Sequence, residues 1–225
     1  MRNERHFGMS RGAALAFLAR APVIHLATTT PAGEPVLRTL DFAWAGDAVV
    51  FHGARAGEKA ACIGRPAVIG ADELVARLPS HFLDPERACP ASTLYRSVQV
   101  RGAIEEVTNP DEKACALNAL MERLQPEGGY RPLDPRDAIH AAELGGVLVL
   151  RVRPERVDGK AKLAQNRTPE ERRKIVEGLR RRGAAGDEAA IAAIFEACGE
   201  AGRAPVSVLS GERPGPAAPA LTGPG

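Results

Sequence analysis

Three apolar, β-branched runs separated by two tight turns open the chain and constrain its fold most. PVIHLATTT (22–30) meets Pro31-Ala32-Gly33-Glu34, PVLRTLDFAW (35–44) meets Ala45-Gly46-Asp47, and AVVFHGA (48–54) follows. Runs of this length with turn residues between them describe an antiparallel meander. PAVIGA (66–71), TLYRSVQVRGAIEEV (93–107) and GGVLVLRVRPERV (145–157) extend the count to six strands. Helices are expected after Ser10 in RGAALAFLARA, in the short AGEKAACIGR (56–65), and after Asn109 in PDEKACALNALMERL. Residues 79–92, with three prolines, read as a long irregular loop, a class of segment that often carries function. The pattern predicts a mainly β chain, a small antiparallel barrel with helices at its ends.

Past Val157 the pattern changes. DGKAKLAQNR (158–167) is polar, TPEERRKIVEGLRRRG and DEAAIAAIFEACGEA are helical, and residues 211–225 are rich in Gly and Pro. The expected division is a barrel domain over 1–166, a helical extension over 167–210, and a disordered tail over 211–225. A hydrophobic fraction of 44% supports a sizeable core. Lys and Arg number 30 against 28 Asp and Glu, a near-balance that disfavours a surface built to coat nucleic acid. Arg172, Arg173, Lys174 and Arg180–Arg182 make one helix basic, but Glu170, Glu171 and Glu177 interleave with them, as on a solvated face. Cys62, Cys89, Cys115 and Cys198 lie far apart without a CxxC pair. With no secretory leader and no stretch long enough to span a membrane, a soluble, cytoplasmic chain is expected.

Side chains that break strand alternation are the candidate ligand contacts. Arg38 falls among Val36, Leu40, Phe42 and Trp44, and Arg96 among Leu94, Val98, Val100 and Ile104. Each guanidinium needs an anion or a place at the barrel rim; two on different strands suggest a shared phosphate. His52, followed by Gly53, could contact a ligand at a strand end, and Lys59 could add charge near a phosphate. Tyr95, Arg96 and Ser97 cannot all share one strand face. The histidines lack the spacing of a metal site, and no GxSxG accompanies the serines. Lys160 to Asn166 bunches two lysines and two amides, either a polar connector or a site for a flat, amide-rich ring.

FHGA with Gly57 and Lys59 shortly after, a Cys-containing loop entering YRSV, and the helix ending ALMERL resemble the pyridoxamine 5′-phosphate oxidase-like flavin-binding split barrels, nearest the Nim-type (nitroimidazole-resistance) branch. AKLAQNR is similar to the K-L-S-Q-N tail of the PaiB-type FMN-binding proteins, with Ala164 in place of serine. The resemblance implies a six-stranded split β-barrel with flanking helices, and a homodimer holding FMN at its interface. It implies cofactor contacts from Arg38, Thr39, His52, Gly53 and Lys59 on the early strands. Tyr95, Arg96, Ser97 and Val98 would contribute from YRSV, and Lys162, Gln165 and Asn166 from the tail, with His52 the candidate catalytic residue.

The expected function is an FMN-dependent oxidoreductase passing electrons to a small acceptor such as a nitroaromatic, with NADH or NADPH as donor. No GxGxxG fingerprint is present, so nicotinamide would bind transiently. The alternatives are a non-catalytic flavin-binding transcriptional regulator, or the same barrel carrying haem or the deazaflavin F420.

Overall fold

The computed structural model describes residues 4–199, so the Gly/Pro-rich 211–225 and the end of the expected 167–210 extension lie outside the described residues. Two compact units divide the chain, one formed by residues up to 74 with 93–162, the other by 75–92 with the residues from 163 onward.

In the first unit the strands are β1 (Ile24–Thr29), β2 (Pro35–Leu40), β3 (Ala43–Ala45), β4 (Ala48–Ala54), β5 (Pro66–Leu78, which runs on into the second unit), β6 (Ser92–Glu106), β7 (Val147–Val152) and β8 (Arg156–Lys162). They form an antiparallel sheet in the order β2-β1-β5-β6-β7-β4-β3, with β8 also paired to β6. The expected mainly β, antiparallel split-barrel class with flanking helices is what the chain adopts, with eight strands where six were expected. The two extra strands have separate causes. The run 35–44 breaks at Asp41-Phe42, and Phe42 turns fully into the core. The polar 158–162, expected as a connector, is strand β8, whose backbone pairs with β6 from Tyr95↔Lys162 to Arg101↔Arg156. The run 145–157 contributes β7 only from Val147, because Gly145 and Gly146 end a helix.

Around the sheet lie α1 (Glu4–Phe7), α2 (Arg11–Arg20), α3 (Glu58–Ala61), α4 (Pro110–Leu124) and α5 (Ala138–Gly146). Ser10 caps α2 by accepting from Ala13 N, and Asn109 caps α4 by accepting from Asp111 N and Glu112 N, as expected of Ser and Asn at helix starts. Helix α2 buries Ala14, Phe17 and Leu18 in the main core with Leu26, Phe51, Ile69, Val100 and Leu150. It sits close against β8: a Cβ on Gly159 would come within 2.6 Å of the Ala14 Cβ. Arg123 of α4 stacks its guanidinium 4.2 Å over the Phe42 ring and donates to Ala19 O and Ala21 O, closing the C-terminal end of α2. A second cluster, with Val50, Val149 and Val107, packs under Ala116 and Leu120 of α4.

The second unit contains a 3₁₀ turn (Ser80–Phe82), α6 (Pro169–Arg182) and α7 (Asp187–Ala197). The segment 79–92 thus carries a short helical turn within the expected loop. Thr168 and Glu171 cap α6 reciprocally. Gly178 faces the Phe82 ring, where a Cβ would come within 2.5 Å. Arg182 holds the buried Asp187 carboxylate well below its ordinary range, tying α6 to α7. Among the described residues no helix is long and apolar enough to cross a membrane.

Among the described glycines, the one where an added Cβ would come closest to a neighbour is Gly102. There β6 leaves β8, last paired at Arg101↔Arg156, for β7, first paired at Ile104↔Val152. A Cβ on Gly102 would stand 2.3 Å from Arg153 O, backbone that cannot swing aside. Gly102→Ala is therefore expected to cost about 3 kcal/mol. Gly12→Ala, in α2 with nothing within 4 Å, is expected to stabilise by about 0.5 kcal/mol. Urea unfolding of the two variants measures both.

Candidate functional site

An open cleft of about 390 Å³ lies between β2 and the β4–α3 connection, lined by Arg38, Leu40, Ala54, Ala56, Gly57, Glu58 and Lys59. Two of the residues expected at a phosphate, Arg38 and Lys59, meet here, and Gly53 adjoins them. Arg38 pairs with Leu26 across β1–β2, which puts it on the core-facing side of its strand, as the alternation argument required. Because β2 ends the sheet order, its guanidinium emerges half-exposed and meets the Glu58 carboxylate at 2.6 Å. A further bond runs to Leu37 O at 2.7 Å.

Lys59 reaches the cleft by lying across Gly53. Its Nζ donates to His52 O at 3.0 Å, and a Cβ on Gly53 would stand 2.7 Å from its Cε and 2.8 Å from its Nζ. Gly57, with φ 148 and ψ 175, occupies backbone space essentially confined to glycine and turns the chain so that Glu58 and Lys59 follow into α3. The same connection is anchored from behind. Arg55 donates to Gly145 O at 2.8 Å, while the buried Lys113 donates to Leu144 O at 3.0 Å and Val147 O at 3.2 Å. Both cations thus cap the last carbonyls of α5 beside the Ala54↔Val147 pair. Burial foremost, with Arg55 nearby, holds the Lys113 ammonium below the usual lysine range.

The remaining expected contacts distribute over other faces. Thr39 points away from Arg38, and its Oγ1 lies 3.2 Å from Nδ1 of His25. The His52 side chain is exposed and leaves β4 on the side opposite Gly53; what His52 gives the cleft is its carbonyl oxygen. Arg96 does share the buried face of Leu94 and Val98, yet it bonds to Glu73 at 2.9 Å. In sheet order it stands three strands from β2, with β1 and β5 between, and it meets a different glutamate from the one that meets Arg38. Val98 is core, 1% exposed, so its side chain is closed to a ligand. Tyr95 and Ser97 occupy the opposite face of β6, beside Lys162 and Lys160 of β8, where the Lys160 ammonium lies 5.5 Å from the Tyr95 ring centre.

Lys162 ends the sheet unit, whereas Gln165 and Asn166 belong to the helical unit. There Gln165 Oε1 accepts from Leu163 N at 2.7 Å around a turn in which Ala164 has φ 67. Asn166 is exposed. Of Lys160 to Asn166, the residues to Lys162 belong to β8 and those after it form the turn before α6. Sequence reasoning overlooked Glu58 and Glu73, the carboxylates that meet the two out-of-pattern arginines. Their signal is the need of each arginine for an anion, which a glutamate meets as well as a phosphate does. Larger hollows, about 570 Å³ between α6 and α7 and about 700 Å³ beside α4, are lined by none of the expected site residues.

Chemically, the cleft offers a guanidinium fork and an ammonium over a small-residue floor. That is a donor set for a phosphate, with the Glu58 carboxylate beside it. The fold defines a split-barrel chain with flanking helices. It belongs to the pyridoxamine 5′-phosphate oxidase family, whose model matches residues 10–161. No curated protein matches the chain significantly. Among solved structures it is similar to a flavocytochrome from Azotobacter vinelandii (21% identity, TM-score 0.59, 72% of this chain and 72% of that one). It is similar to an FAD and heme binding protein from Mycobacterium smegmatis (23%, TM-score 0.58, 70% and 73%). A candidate 5-nitroimidazole antibiotic resistance protein from Bacteroides thetaiotaomicron also aligns (17%, TM-score 0.53, 68% and 85%). At these identities the likeness establishes the fold.

The approach of Lys59 to Gly53 is testable by itself. Gly53→Ala is expected to push the ammonium off His52 O while changing stability by less than about 1 kcal/mol, since only the end of a flexible side chain must move. Lys59 should then acylate severalfold faster in a mass-spectrometric footprint. An unchanged rate would show that the lysine does not depend on the glycine.

Proposed function

We propose that the chain is an FMN-binding oxidoreductase whose cleft between β2 and α3 takes the cofactor's phosphate. The observation that carries this reading is the convergence of Arg38 and Lys59, from separate elements, on one open cleft beside a glycine that admits the lysine. Membership of the pyridoxamine 5′-phosphate oxidase family supports it, as do the flavin-containing proteins among the structural relatives. When bound, the flavin supplies the redox chemistry. The chain's part is to hold the phosphate, orient the ring and exclude water. A nitroaromatic or similarly small molecule is the proposed acceptor, NADH or NADPH the donor, and a homodimer the assembly in which a second copy covers the flavin.

The test is titration of the protein with FMN and, separately, with riboflavin, followed by flavin fluorescence. Arg38→Ala and Lys59→Ala should each weaken FMN binding about tenfold or more, as expected for loss of a charge-assisted contact. Riboflavin, which lacks the phosphate, should bind the variants as it binds the parent chain. Absence of FMN uptake by the parent chain, or full-strength binding by both variants, would overturn the assignment.

A further inference from the structure

The Arg38 guanidinium already has an anionic partner. Glu58 lies next to Lys59 in sequence and lines the same cleft, and its carboxylate approaches Arg38 at 2.6 Å. The geometry points to Glu58 as an internal competitor for the phosphate, a residue that sets the cleft's affinity by occupying the arginine when no ligand is present. This inference rests on the phosphate reading of the cleft and adds to it a residue with the opposite sign of effect.

Three features of the pair support exchange over a fixed structural bridge. Both side chains are partly exposed, 51% for Arg38 and 38% for Glu58, and exposed ion pairs of this kind are weak enough to give way. Glu58 meets one guanidinium nitrogen of Arg38, through Oε2, and an oxygen of a phosphate can accept from that same nitrogen in its place. Glu58 also begins the four-residue α3 just after Gly57, with its side chain at the cleft rim and outside the core. Its carboxylate can therefore turn to solvent when the arginine is taken. With Glu58 in place, the three charged groups of the cleft sum to +1; neutralising Glu58 raises that to +2 and removes a negative charge from beside an incoming dianion.

The experiment is FMN titration of Glu58→Gln and Glu58→Ala, each checked for unchanged thermal midpoint, against the parent chain. Both variants should bind FMN about threefold to tenfold more tightly, the gain expected when a weak exposed pair and its residual repulsion are removed. Affinity for riboflavin should stay the same. Tighter FMN binding with riboflavin unchanged establishes the competition. Equal or weaker FMN binding in both variants, with the parent chain binding FMN and Arg38→Ala weakening it, overturns the role of Glu58 and leaves the phosphate assignment standing. Failure of parent and variants alike to take up FMN removes both.

Discussion

Strand β6 pairs with β8 along its first part and with β7 at its end, so the connection from Val152 to Arg156 must pass directly over it. Gly102 is the residue that makes the crossing feasible, with Arg153 O lying where a side chain would begin. Glu155 N donates to Arg101 O at 3.0 Å and fixes the path. Because β7 also pairs with β4 from Val49↔Val152 to Ala54↔Val147, the crossing lies beyond the start of β4, and the end of β4 lies against the first residues of β7. The end of β4 in turn places Gly53, Gly57 and Lys59. The cleft therefore depends on how β4 ends against β7, at Gly53↔Leu148 and Ala54↔Val147.

The cleft's electrostatics follow from economy of position. Arg38 sits on the core side of an edge strand, where its stem can cover apolar surface while its head reaches solvent. Lys59 lies across a glycine with its ammonium fixed by a carbonyl. Such fixed donors at an open edge suit a ligand that brings its own charge, and the core behind them stays dry and apolar, with Leu26, Phe51 and Ile69 almost wholly buried.

Much of the fold was legible because its signals are local. The meander to Ala54, the Ser10 and Asn109 caps and helices α4 and α6 follow from alternation, turns and capping residues within a few positions. β8 was not legible, since Asp158, Lys160 and Lys162 look like a connector until Tyr95 to Arg101 supply backbone partners more than fifty residues away in sequence. The split of 35–44 was hidden for a similar reason: the break at Asp41-Phe42 is imposed by burial of Phe42 beneath Arg123. In the site, sequence alternation correctly put Arg38 and Arg96 on core-facing sides. It could not reveal that each is met by a glutamate from another element, because that depends on registers and loop paths; that Thr39 lies opposite Arg38, and His52 opposite Gly53, does follow from alternation.

The central claim is that the edge between β2 and α3 holds the phosphate of a bound flavin. A crystal structure of the chain with FMN tests it most directly. The account predicts the phosphate within hydrogen-bond distance of the Arg38 guanidinium and the Lys59 ammonium, with the Glu58 carboxylate turned away. A phosphate held elsewhere, for instance against Arg96, with the Arg38–Glu58 pair intact, would contradict it.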